Sequence, residues 1–283
     1  MIVVGWPGLT GETEKTLEPN ATLGLANRML APFAKRAYLA SPEAGKSLRP
    51  QIVRVTGVPL REGFVPSPYR ASSSARVLVM GGSQGAEALN LRLPEALALV
   101  ANEPALRHLD IEVLHQAGRE RDAPVREAYA REKVEKSSVV PFLDDVAAAI
   151  TKCDVVVARA GAGTLAEIAA IGRAAVFIPF PHAADDHQAT NAASFARAGA
   201  AVSIRQEAAD AVRIARELVL LLENGPAREK MANAMRARGK PDAARAIAED
   251  LLSLANIACR AHVSPGPSRT NGHKPPFSSP EMN

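Results

Sequence analysis

From Arg76 to Ile204 the chain alternates between two kinds of apolar pattern. Short apolar runs rich in Val, Ile and Ala are separated by longer stretches in which apolar residues return every three or four positions. The short runs predict strands at Val77–Met80, Ile111–His115, Ser138–Pro141, Asp154–Ala158, Ala175–Pro179 and Ala201–Ile204. The longer stretches predict helices at Glu87–Val100, Pro124–Glu135, Val146–Lys152, Leu165–Ile171 and Gln188–Ala198. Strand and helix in strict turn, joined by short connections, imply right-handed βαβ crossovers. The fold class is therefore α/β, with a Rossmann-like doubly wound parallel sheet. Beyond Ile204 only helices are predicted: Ala208–Glu223, Ala227–Arg236 and Ala243–Ala258, punctuated by Gly225-Pro226 and Gly239–Pro241.

The pattern is thinner upstream. Met1–Thr16 reads as irregular, Ala21–Leu30 as helical, Ala37–Ala40 as a candidate strand and Ile52–Thr56 as a short β-branched strand. Pro59, Pro66 and Pro68, together with Ser67 and Ser72–Ser74, predict a linker. The chain is thus expected to divide into residues 1–65, too small for an independent α/β domain, and residues 66–258, the sheet domain with its C-terminal helices. In residues 259–283 five prolines from Pro265 to Pro280 stand among serines, and this segment is expected to be a disordered tail.

Composition changes this picture little. Of 283 residues, 47% are hydrophobic and 23% charged, enough to bury a core in a globular protein. Aromatic residues make up only 4%, so nucleobase stacking is not an evident strategy. The net charge of +4 suits an anionic ligand or an anionic membrane surface, and ordinary surface chemistry accounts for it equally well. Cys153 and Cys259 lie far apart and outside any CxxC or Cys/His pattern, which argues against a disulfide framework or zinc site and for a reducing cytoplasm. No run approaches the roughly 18 apolar residues of a membrane span, and Met1–Leu9 lacks the charged start of a signal peptide.

Candidate chemistry sits at the C-terminal ends of the predicted strands. Val77–Met80 runs into Gly81-Gly82-Ser83-Gln84-Gly85-Ala86, and Asp154–Ala158 into Arg159-Ala160-Gly161-Ala162-Gly163-Thr164. A glycine turn between strand and helix aims backbone N–H groups and the helix dipole at one point, where a phosphate binds. Two such turns suggest a nucleotide diphosphate. The first lacks the GxGxxG spacing, and no acid follows at the tip ending His115-Gln116-Ala117-Gly118, which disfavours NAD. Thr164-x-x-Glu167 has two readings. A capping box alone would occupy both residues, whereas in a ligand site Glu167 would accept from a vicinal diol. Gln188 and Asn191 share a helix face, either solvated or reading sugar hydroxyls. His182, Asp185, Asp186 and His187 match no metal-ligand spacing, and no GxSxG nucleophile elbow is present.

The ordered series VLVMGGSQGAEALN, HQAG, VVPFLDDVAAA and CDVVVARAGAGTLAEIAAIGRAAVFIPFPHAADDHQATNAASFARAGAA resembles the MurG family, glycosyltransferase family 28, over about Leu17 to Leu252. The resemblance implies a GT-B fold in which residues 66–258 form the UDP-sugar-binding domain and residues 1–65 a remnant of the N-terminal acceptor domain. It implies inverting transfer of N-acetylglucosamine from UDP-N-acetylglucosamine to undecaprenyl-pyrophosphoryl-muramoyl-pentapeptide, lipid I to lipid II, in peptidoglycan synthesis. No metal or other cofactor is implied, nor any nucleic acid. The expected location is peripheral, at the cytoplasmic surface of the bacterial inner membrane. Residue by residue, it implies that Glu167 holds the ribose hydroxyls, that Ser83 and Arg61 meet the diphosphate, and that Leu143 stands where the backbone reads uracil. Ala162, Gly163 and Thr164 would line sugar and phosphates, His187 and Gln188 would touch N-acetylglucosamine with Asn191 in support, and Asn20 would face the donor. The family's GGTGGH loop, with its histidine near the reaction centre, has no counterpart, and the chain reads as starting about two-thirds of the way through that domain. The general base is thereby left unassigned, with His187 a weak stand-in. Two alternatives remain at this point: a non-catalytic UDP-sugar-binding fragment, and a related transferase using another UDP-sugar.

Overall fold

The computed structural model describes residues 2–3, 15–71, 74–82 and 84–262. Six of its strands form one parallel sheet: β5 (Ser74–Met80), β6 (Asp110–Gln116), β7 (Ser137–Val140), β8 (Val155–Ala158), β9 (Ala174–Phe177) and β10 (Val202–Ser203). Their spatial order is β10-β9-β8-β5-β6-β7. Counted from β5, this is the 3-2-1-4-5-6 order of a Rossmann fold. The doubly wound sheet expected from the alternation of patterns is what forms.

Every residue of β8 and β9 is buried, because both faces of the sheet are covered. Val77, Val79, Val155, Val157 and Val176 point into one apolar layer with Leu89, Leu93 and Leu97 of α2 (Glu87–Ala101) and Ile214 and Leu218 of α7 (Ala211–Glu223). Leu78, Met80, Val156, Ala158 and Phe177 point the other way. There they meet Ile150 of α4 (Val146–Lys152), Leu165 and Ile168 of α5 (Ala162–Ile171), Ala192 of α6 (His187–Arg197) and Met235 of α8 (Gly225–Ala237). The two-residue period of the strands sorts the layers. The chain reverses direction across the sheet between β5 and β8, and a crevice opens there at the strands' C-terminal ends.

The upstream residues form the two strands expected at Ala37–Ala40 and Ile52–Thr56 and correct the reading of Met1–Thr16 as irregular. They hold a sheet of their own, the first in chain order, with the six-stranded sheet the second; its strand order is β1-β2-β3-β4: β1 (Ile2–Val3), β2 (Lys15–Glu18), β3 (Arg36–Leu39) and β4 (Val53–Val55). β1 runs antiparallel to β2, and β2, β3 and β4 are parallel. β2 escapes a hydrophobicity reading because its buried positions are Thr16 and Glu18. Helix α1 (Leu25–Leu30) starts four residues later than predicted, since residues 19–24 form a loop held by Glu18. α3 (Asp122–Arg131) begins and ends earlier than predicted, and Lys133 turns out of the helix at φ 58°.

The proline-serine linker is bound to the second sheet. Ser67 donates its N–H to the Ile171 carbonyl at 3.0 Å and accepts from Arg173 at its own carbonyl (2.8 Å) and hydroxyl (3.2 Å). The Tyr69 ring lies between the guanidinia of Arg173 and Arg228, at 5.4 and 5.9 Å. Its hydroxyl donates to Asp154 Oδ1 at 2.5 Å and accepts from Arg228 Nε at 2.6 Å. The described residues up to Ala246 pack as one unit and those from Ile247 as another. Alanine-rich α9 (Ala243–His262) carries residues 259–262 of the expected tail as helix, and residues 263–283 lie outside the described ones.

Candidate functional site

The β8–α5 turn stands at the switch point. Gly161 caps α5 without a side-chain hydrogen bond, and Thr164 is already the third helical residue. The capping box is therefore not formed. Among the described residues no side chain caps the first-turn N–H groups of Ala162, Gly163 and Thr164, which point with the helix dipole at the crevice. A side chain on Gly163 would meet nothing within 4 Å, so the space before this turn is open.

Glu167 follows Thr164 on the same helix. It is half-buried, makes no hydrogen bond among the described residues, and burial pushes its carboxyl above the usual carboxylate range. The exposed Arg61 guanidinium faces it electrostatically and pulls the other way. A partly desolvated acid with free acceptor oxygens beside an anion-binding helix start is suited to a ligand that carries hydroxyls next to phosphate.

On the far side of the switch point the β5–α2 loop is shaped by close backbone packing. Gly118 has φ +95°, and a Cβ there would lie 2.4 Å from the Gly85 nitrogen, while one on Gly85 (φ +73°) would lie 2.2 Å from the Ala117 carbonyl oxygen. Ser83 of this loop lies outside the described residues. Leu143 is buried in the apolar layer that also holds Leu165. Just after it, Asp145 caps α4 by accepting from the Ala148 N–H at 2.8 Å.

Helix α6 supplies the remaining residues. Gln188 Oε1 accepts from the backbone N–H of Ala160 and of Phe180, each at 3.1 Å. Two donors fix its orientation and leave Nε2 as the group free to donate. Asn191 is buried and fully engaged within the protein. Its Nδ2 donates to Asn20 Oδ1 (3.1 Å) and the Ala160 carbonyl (3.3 Å), and its Oδ1 accepts from the Ala21 N–H at 2.8 Å. The acceptor oxygen of each amide thus serves the backbone. His187 Nδ1 lies 2.8 Å from Thr22 Oγ1, and its Nε2 lies 3.9 Å from Asp185 Oδ2.

The structure thus brings Arg61 to Glu167, joins Asn20 to Asn191, and hangs Gln188 and Asn191 on Ala160, the residue before the glycine turn. Sequence reasoning missed Glu18 and Thr22. Glu18 stands two residues before Asn20, a residue singled out by resemblance, but nothing in the one-dimensional pattern marks its acid as buried. Thr22 carries no sequence signal, since its partner is 165 residues away.

A Rossmann-ordered sheet with an uncapped helix start and a free acid at its switch point defines a doubly wound α/β protein with an anion-suited crevice at the C-terminal ends of its strands. The chain belongs to glycosyltransferase family 28: residues 76–247 match the model of the glycosyltransferase family 28 C-terminal domain. It is 51% identical over 241 residues to the UDP-N-acetylglucosamine--N-acetylmuramyl-(pentapeptide) pyrophosphoryl-undecaprenol N-acetylglucosamine transferase of Sorangium cellulosum (strain So ce56), covering 84% of this chain and 58% of that protein. It is 40% identical over 270 residues to the protein of the same name from Anaeromyxobacter dehalogenans (strain 2CP-C), covering 91% and 66%. Among solved structures it matches Acinetobacter baumannii MurG with a TM-score of 0.72 and 31% identity, over 86% of this chain and 68% of that one. The fold is of the GT-B type. The chain spans about three-fifths of the length of the Sorangium relative.

Proposed function

We propose that this chain binds UDP-N-acetylglucosamine at the β5–β8 switch point and transfers N-acetylglucosamine, with inversion, to a lipid-linked muramoyl-pentapeptide (lipid I to lipid II). The observation that carries the reading is the uncapped first turn of α5 with Glu167 free one turn further on. The diphosphate would lie against the N–H groups of Ala162, Gly163 and Thr164, Glu167 would accept from the ribose diol, and Gln188 Nε2 and His187 would meet the sugar. As the acceptor hydroxyl attacks the anomeric carbon, negative charge grows on the departing UDP, and the preorganised N–H groups, the helix dipole and Arg61 stabilise it. No described residue is assigned as the base that takes the hydroxyl proton.

The expected membrane partner has support in α1 and the turn that follows it. Leu25, Met29 and Phe33 recur every four residues and are 64%, 69% and 72% exposed, beside Arg28 and Arg49. An apolar stripe with basic neighbours suits an anionic bilayer surface. Among the described residues no helix is long and apolar enough to cross a membrane.

Titration calorimetry with UDP-N-acetylglucosamine, UDP and NAD tests the donor site. Saturable binding of both uridine ligands and no heat with NAD is expected, and no binding of either uridine ligand refutes the reading. A transfer assay with lipid acceptor, with UDP-galactose as competing donor, tests the reaction. Binding without product would leave a donor-binding protein in its place.

A further inference from the structure

We propose that Glu18 is a positioning residue for the sugar end of the donor site, acting through the loop it folds; the inference rests on the donor-site reading above. Glu18 is only 2% exposed, and a buried carboxylate is tolerated only where hydrogen bonds replace its lost water. Among the described residues its partners are four N–H donors and no cation. Oε1 accepts from the Asn20 N–H (3.0 Å) and Asn20 Nδ2 (3.1 Å), and Oε2 from the Gly24 N–H (2.7 Å) and Asn27 Nδ2 (2.9 Å). All four come from residues 20–27, so this one carboxylate dictates the path of the loop between β2 and α1.

Three consecutive residues of that loop reach α6. Asn20 Oδ1 accepts from Asn191 Nδ2, the Ala21 N–H donates to Asn191 Oδ1, and Thr22 Oγ1 meets His187 Nδ1. Asn191 lies one turn from Gln188 on α6, and both bond the backbone of Ala160, which ties the loop to the Gln188 amide. The His187 ring and the amide of Gln188 are the groups assigned to the sugar. Glu167 and Arg61, assigned to the nucleotide, receive no hydrogen bond from the loop. Loss of Glu18 should therefore disturb sugar recognition and spare recognition of UDP.

The test compares calorimetric affinities for UDP and UDP-N-acetylglucosamine across Glu18→Gln, Asn20→Ala and Thr22→Val. Glu18→Gln places an NH2 group against two of the four donors and reshapes the loop. Asn20→Ala cuts two links, to Glu18 and to Asn191, and Thr22→Val one, to His187; both leave most of the carboxylate's bonds in place, so they carry the test if Glu18→Gln fails to fold. The expected result is a drop of about tenfold in UDP-N-acetylglucosamine affinity, the size of one or two lost hydrogen bonds, with UDP affinity unchanged within about twofold. Equal affinity of all variants for the sugar nucleotide, or parallel weakening of both ligands, would overturn the proposal. Failure of the unaltered chain to bind UDP would instead strike the donor-site reading on which it rests.

Discussion

Glu167→Ala separates a ligand-binding acid from a helix-capping one. If the carboxylate accepts from a ribose diol, its removal costs a hydrogen bond to a charged group, about 1.5–3 kcal/mol. That corresponds to roughly 10- to 100-fold weaker binding of UDP and UDP-N-acetylglucosamine. Stability should move little or in the opposite direction. The carboxylate has no hydrogen-bond partner among the described residues, is disfavoured by its burial, and would give way to the best helix former. In a unit of this size 1 kcal/mol is worth about 2–4 °C in Tm, so the variant's Tm is expected within about 2 °C of the wild type, or above it. The pH dependence has a definite sign. The folded carboxyl keeps its proton to higher pH than the unfolded one. Its contribution to stability is therefore fully present below the unfolded value near 4.5 and is lost as pH rises through the elevated folded value. The stability of Glu167→Ala relative to wild type should accordingly grow as pH rises through that window. Calorimetry at neutral pH with thermal melts from pH 4 upward decides the matter. Normal affinity combined with a Tm lower by several degrees would refute the reasoning and restore the cap.

Tyr69→Phe leaves Asp154 and Arg228 without the hydroxyl that joins them inside the protein, and should cost about 2–3 kcal/mol in urea unfolding. Gly118→Ala would force a side chain into a left-handed backbone and against the Gly85 nitrogen, with an expected loss of at least about 2 kcal/mol in the same assay. His115 lies buried between Asn90 Oδ1 (3.1 Å) and the Tyr129 hydroxyl (3.0 Å), and burial pushes its pKa down to about 3. A depressed histidine contributes stability above its unfolded value near 6.5 and loses it as pH falls towards 3, so His115→Gln should flatten that part of the stability profile.

The second sheet was legible because strands buried on both faces must be apolar at every position, as Val155–Ala158 and Ala174–Phe177 are. The first sheet was only partly legible. β2 turns Thr16 and Glu18 inward, and a buried acid satisfied by a later loop looks like a polar surface residue in one dimension. At the site, both glycine turns could be read directly, since strand, glycine and helix follow one another in the chain. The capping box could not be settled by spacing, because Thr164 fits N-cap or third helical position until the backbone shows Gly161 as the cap. Asn20 and Asn191 were each singled out by resemblance, but their pairing across 171 positions belongs to the folded chain alone.

The way Tyr69 and Ser67 are held has a mechanical consequence. From Ser67 onward the backbone is fastened to the second sheet by Arg173, Asp154 and Arg228, so this stretch cannot serve as a flexible tether. At the other end the Gly57 N–H donates to the Leu39 carbonyl at 3.0 Å, which fastens it to the first sheet. Between these anchors Leu60 and Phe64 also pack into the apolar layer that holds Leu165, and Gly63 lies against Ala147 of α4, so the chain is held to the six-stranded sheet from Leu60 onward. A rotation of one sheet against the other must therefore be absorbed in residues 58–59. Arg61 lies on the held side, so such a rotation would leave its guanidinium with Glu167 and the charge balance of the site unchanged.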